Sequence, residues 1–148
     1  VAMVAIFIPG FLFFLAVQRK SVDGWDLQNR AGRIKPFFVE LLFLLSAYIL
    51  IVLYGNTFLQ SVWLLIIAIC TGFLVMTLFW KISGHTGVIT LAFLLLLEWY
   101  GWQMWPILLA ISLVTWARVV GKNHTLGQAI GGIVYSSLLH EIWKSLLG

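Results

Sequence analysis

Charge is scarce in this chain. Asp, Glu, Lys and Arg together supply only 9% of its 148 residues, against 62% hydrophobic residues. A water-soluble domain carries about a quarter charged residues, so with a mean hydropathy of +1.05 the chain is expected to be solvated by lipid and to form one integral membrane domain over residues 1–148. Cysteine occurs once, as Cys70 within an apolar run, which excludes an internal disulfide and a cysteine metal centre. No Walker-type loop, paired-cysteine motif, His-Glu-x-x-His or paired-carboxylate site is present, and neither a metal nor a cofactor is expected. The net charge of +4 does not point to nucleic acid, because the basic residues sit in short loops and form no continuous face. The first apolar run has no basic flank before it and no small-residue cleavage site after it, so it reads as a retained helix.

Apolar runs are present at about 1–17, 37–55, 58–80, 86–100, 103–117 and 125–143. A hydrocarbon core of ~30 Å needs a helix of ~20 residues, so the expected fold is all-α, a polytopic membrane protein with six transmembrane helices in one bundle. Pro36, Gly55 with Asn56, Gly84, Gly101 and Gly121 punctuate the runs. Alternating six spans puts the loops 18–36, 81–85 and 118–124 on one side. That side then holds Arg19, Lys20, Arg30, Arg33, Lys35, Lys81, Arg118 and Lys122, leaving Lys144 on the other. Trp63, Trp99, Tyr100, Trp102, Trp105 and Trp143 fall near one set of span ends, and Trp80 and Trp116 near the other, as interfacial belts do. Gly127, Gly131, Gly132 and Ser136 give overlapping small-xxx-small spacings suited to close helix packing.

Two histidines stand in the basic loops: His85 in Lys81-Ile82-Ser83-Gly84-His85, and His124 in Arg118-Val119-Val120-Gly121-Lys122-Asn123-His124. Ionisable groups at membrane depth are costly and usually serve a site. Phosphoryl transfer needs cations and N–H groups around the nonbridging oxygens, a nucleophile in line and an acid for the leaving oxygen. Lys81 and Arg118 supply charge, the N–H groups of Ser83 and Gly84 lie where a helix starts, and imidazole can serve as nucleophile or acid near neutral pH.

Ser83-Gly84-His85 and Arg118-x5-His124 resemble the second and third signature motifs of the type 2 phosphatidic acid phosphatase family, over roughly residues 75–135. The resemblance implies metal-independent hydrolysis through a phosphohistidine on His124, with His85 protonating the leaving group and Lys81 and Arg118 holding the phosphate. The chain departs from the pattern in two places. The family's first motif runs from a lysine through six residues to Arg-Pro, whereas Lys81 directly precedes the second motif, and Ile82 stands where proline is usual. Arg30 or Arg33, in the loop on the same side, is a candidate for the missing arginine; lipid-headgroup contact is the competing role. Gln128 stands where most of the family has aspartate. On a helix it shares a face with His124, and an amide oxygen accepts from the ring N–H without adding charge. His124-Thr125-Leu126-Gly127-Gln128 resembles the His-Thr-x-x-Gln pattern of the dolichyl diphosphatase-like branch. That implies an isoprenoid or polyprenyl diphosphate substrate, with phosphatidate or phosphatidylglycerol phosphate as the alternative. A noncatalytic transporter or assembly subunit, with the histidines forming a polar seam, is the reading from another class. Eight basic residues on one side argue that this side is cytoplasmic. Several of them are the expected phosphate ligands, however, and sites in the resembling family commonly face away from the cytosol, so an extracytoplasmic site is expected.

Overall fold

The computed structural model describes residues 4, 7–19 and 31–147. The described residues are helical and contain no strand: α1 (Ile8–Gln18), α2 (Ile34–Tyr54), α3 (Thr57–Phe79), α4 (Gly84–Tyr100), α5 (Ile107–Val120) and α6 (Leu126–Leu147), with short 3-10 turns at Ala31–Arg33 and Gly101–Met104. The fold class is all-α. The chain divides into two compact units, Val1–Trp80 and Lys81–Gly148.

Three helices are long and apolar enough to cross a membrane: Ile34–Tyr54, Thr57–Phe79 and Gly84–Met104, the last running through the 3-10 turn. They mark the chain as a membrane protein. Its surface agrees, since Phe11, Leu53, Phe79, Val88, Leu109 and Leu113 all present large apolar side chains outward, the reverse of a soluble domain. The remaining helices are shorter or less apolar. α5 has 14 residues, about 21 Å at 1.5 Å per residue, short of a ~30 Å core, and α1 is described over 11 residues. α5 starts at Ile107 rather than near 103 because Gly101, with a φ of 73°, stops α4 and Pro106 caps the next helix. α6 has the length, 22 residues, but Gly, Ser, His140, Glu141 and Lys144 lower its apolarity.

In the first unit α2 and α3 form a hairpin. Asn56 caps α3 by accepting from the Leu59 N–H at 2.8 Å, and Gly55 is required because a Cβ there would lie 2.6 Å from the Ile51 carbonyl oxygen. Leu44, Ala47 and Cys70 form the buried centre, with Phe37, Leu41 and Trp63 packed on it. The Trp63 indole donates to the Leu44 carbonyl at 3.1 Å, which satisfies its N–H away from water.

In the second unit α4 packs along α6. The buried face of α6 is Ala129, Gly132, Ser136, His140 and Trp143, so Gly132 and Ser136 meet the expectation of a small-residue interface, whereas Gly127 is exposed. A Cβ on Gly132 would lie 2.3 Å from the Ser83 carbonyl oxygen and 2.5 Å from Thr86 Oγ1. That spacing lets α6 approach the start of α4 closely. At the opposite ends, Lys144 Nζ donates to Glu98 Oε1, and the His140 ring lies 5.8 Å from Trp143.

Candidate active site

The candidate site lies within the second unit and is built from the segment entering α4 and the loop joining α5 to α6. α3 ends at Phe79, and residues 80–83 run without regular structure before α4 starts. Ser83 caps α4: its backbone is extended and its hydroxyl accepts from the Thr86 N–H at 3.4 Å. Fully buried, Ser83 also donates its own N–H to the Gln128 carbonyl at 3.0 Å. The buried Thr86 hydroxyl lies 3.0 Å from the Ser83 carbonyl and 2.8 Å from the Ala129 carbonyl, which share its one proton. These bonds, with the glycine gap at Gly132, pin the Ser-Gly-His turn onto the first turns of α6. Gly84 then opens α4, and His85 stands exposed on its first turn.

The α5–α6 loop is folded around one carbonyl. The Arg118 carbonyl accepts from the N–H groups of both Asn123 and His124, each at 3.1 Å. Lys122 takes a left-handed backbone with φ 56°, and Gly121 precedes it where a Cβ would approach the Ala117 carbonyl oxygen to 2.9 Å. The turn therefore reverses the chain within four residues of the end of α5 and sets His124, only 5% exposed, at the entry to α6. Lys81 reaches the same loop, its Nζ donating to the Asn123 carbonyl at 2.9 Å. Lys81, Ser83, Arg118, His124 and Gln128 are thus joined by direct bonds or through one neighbour.

Gln128 holds the histidine. Its Oε1 lies 3.2 Å from His124 Nδ1 and accepts from the Thr125 N–H at 3.1 Å, while Thr125 Oγ1 accepts from the Gln128 N–H at 3.3 Å. Thr125 and Gln128 form a reciprocal capping box at the start of α6. The backbone N–H of Thr125 can only donate, so the side-chain atom facing it is the amide oxygen and not the nitrogen. That oxygen in turn can only accept, so His124 carries a proton on Nδ1, and in the neutral ring the unprotonated nitrogen is Nε2. The tautomer of His124 is fixed by the cap of the helix that follows it.

Arg30 lies outside the described residues. Arg33 is buried, 6% exposed, in the 3-10 turn leading into α2 of the first unit. Thr86, Asn123 and Thr125 are the participants that motif reasoning passes over. Thr125 was legible as the first residue of a Thr-x-x-Gln capping box. Asn123 acts through its carbonyl oxygen, and Thr86 donates its hydroxyl to the Ser83 and Ala129 carbonyls; backbone acceptors carry no residue-specific signal. No protein-family model, curated protein or solved structure matches the chain, so any functional reading rests on these motif residues and their geometry.

Proposed function

We propose that the chain is an integral, multi-pass membrane phosphatase that hydrolyses a lipid phosphate or isoprenoid diphosphate through a phosphohistidine, as members of the type 2 phosphatidic acid phosphatase family do. The observation that carries the reading is the fixed His124 tautomer. A nucleophilic imidazole attacks through its unprotonated ring nitrogen, and the Gln128 oxygen on Nδ1 makes Nε2 that nitrogen in the neutral ring.

In this reading the Nε2 lone pair attacks phosphorus while the bond from phosphorus to the lipid oxygen, or to the leaving phosphate, breaks. The departing oxygen takes a proton from His85 in its protonated form. Lys81 and Arg118 balance the charge on the nonbridging oxygens. Water then attacks phosphorus as the phosphorus–nitrogen bond breaks, His85 takes the proton of that water, and inorganic phosphate leaves with His124 restored. Throughout, Nδ1–H stays on the Gln128 oxygen, so the ring keeps its aim. The site faces away from the cytoplasm.

The test is phosphate release from polyprenyl diphosphate and from phosphatidate by purified protein in chelator. The expected result is turnover by the wild type and none by His124→Ala. Equal release by both would remove His124 from the chemistry.

A further inference from the structure

We infer that the groove between α5 and α6 holds the substrate's hydrocarbon tail and takes one chain, so that the substrate is a single-chain lipid phosphate; this rests on the phosphatase reading of the same unit. The groove encloses about 450 Å³, within the ~300–1,000 Å³ of small-molecule sites. Ile111, Ser112, Thr115 and Val119 of α5 and Leu126 and Ile133 of α6 line it. No charged side chain is among the lining residues, and the Ser112 hydroxyl is turned back onto the Leu108 carbonyl at 3.1 Å. The groove offers a ligand mainly hydrocarbon contact, with the buried Thr115 hydroxyl and Trp116 as its other polar side chains.

Its position assigns the occupant. Val119 directly follows Arg118, and Leu126 is two residues beyond His124, so one end of the groove begins at residues flanking the proposed phosphate cluster. Its other end, Ile111, lies eight residues back along α5 from Val119, about 12 Å at 1.5 Å per residue. A lipid whose phosphate sits at Arg118 and His124 therefore leads its tail into the groove from the head outward. The trough is bounded by a single pair of helices, and a second acyl chain on the same glycerol has no counterpart in it. Tails arrive from lipid rather than water, so the groove selects by fit and not by hydrophobic transfer.

The test compares four phosphates on the wild type in one detergent at equal mole fraction: farnesyl phosphate and lysophosphatidate, each with one chain; phosphatidate, with two; and a tail-less aryl phosphate. Both single-chain lipids are expected to exceed phosphatidate at least tenfold in kcat/KM. Preference for one of them separates a prenyl from an acyl tail. Ile133→Trp, which fills the groove, is expected to lower kcat/KM about tenfold for the single-chain lipids and leave the aryl phosphate unchanged. Ser112→Trp, at an exposed position near the far end, should act in the same direction and serves if Ile133→Trp fails to fold. Phosphatidate turned over as well as the single-chain lipids, or neither tryptophan discriminating tailed from tail-less substrate, overturns the inference. A wild type that releases phosphate from none of the four, nor from farnesyl diphosphate, instead defeats the phosphatase reading beneath it.

Discussion

Replacing Gln128 with alanine removes one oxygen that does two jobs. The Oε1 atom accepts from the Thr125 N–H at 3.1 Å and from His124 Nδ1 at 3.2 Å. Losing the cap costs about 0.5–2 kcal/mol of stability, as other N-cap truncations do. Losing the orienting bond frees the His124 ring to rotate and to take the other tautomer. A buried hydrogen bond of this kind is worth ~1–3 kcal/mol, which is roughly a tenfold to hundredfold loss in kcat where it is expressed in the transition state. Thr125→Ala separates the two jobs, because it breaks the bond to the Gln128 N–H at 3.3 Å and leaves Oε1 in place. It is expected to lower the Tm about as much as Gln128→Ala while leaving turnover within about twofold. The capping box also selects the best charged replacement. Gln128→Glu keeps the length that reaches both donors and should remain active with its pH–rate profile moved upward, since a carboxylate stabilises the protonated ring. The shorter Gln128→Asp should lose the reach to Thr125. Phosphate release and thermal unfolding of the four variants supply the data. A Gln128→Ala protein with the stability loss of Thr125→Ala and full turnover would refute the reasoning and leave Gln128 a helix cap.

Gly132→Ala should abolish activity and lower the Tm sharply, since its Cβ would sit 2.3 Å from the Ser83 carbonyl oxygen and α4 must move off α6; exposed Gly127→Ala should be tolerated, and equal behaviour of the two would contradict the packing account. Lys81→Ala should raise KM for lipid phosphates more than it lowers the Tm, because it removes both a cation and the bond to the Asn123 carbonyl; an unchanged KM would assign Lys81 to loop support alone. Lys144→Ala and Glu98→Gln break an ion pair with an exposed partner, so neither Tm nor turnover should change measurably. Gln28→Cys should be labelled by a membrane-impermeant thiol reagent in intact cells, with buried Cys70 giving little background; protection of position 28 would place the basic loops in the cytoplasm.

What the sequence showed and what it hid follow from how each feature is encoded. Helices α2, α3 and α4 were legible because long apolar runs ended in Gly55-Asn56, Ser83-Gly84 and Gly101 have few alternatives in lipid. The length of α5 was not, since an apolar run records what lipid tolerates and not where the backbone turns; Pro106 and the positive φ of Gly101 decide that. The spacing from His124 to Gln128 foretold their contact. The capping box carries its own signal, Thr125 followed three residues on by Gln128, which the overlapping histidine motif conceals. The link from Ser83 to the Gln128 carbonyl was hidden for another reason: a backbone acceptor looks alike at every position.

In the proposed mechanism His124 is the residue that carries phosphate. Purified protein incubated with a lipid phosphate or diphosphate labelled in its phosphorus, quenched in alkali and digested, should yield an acid-labile, alkali-stable phosphopeptide containing His124. His85→Ala should form or retain that phosphopeptide while turning over slowly, because loss of the proton donor and acceptor hinders both steps without removing the nucleophile. Steady-state phosphate release with label absent from His124, or present on another residue, would contradict the account.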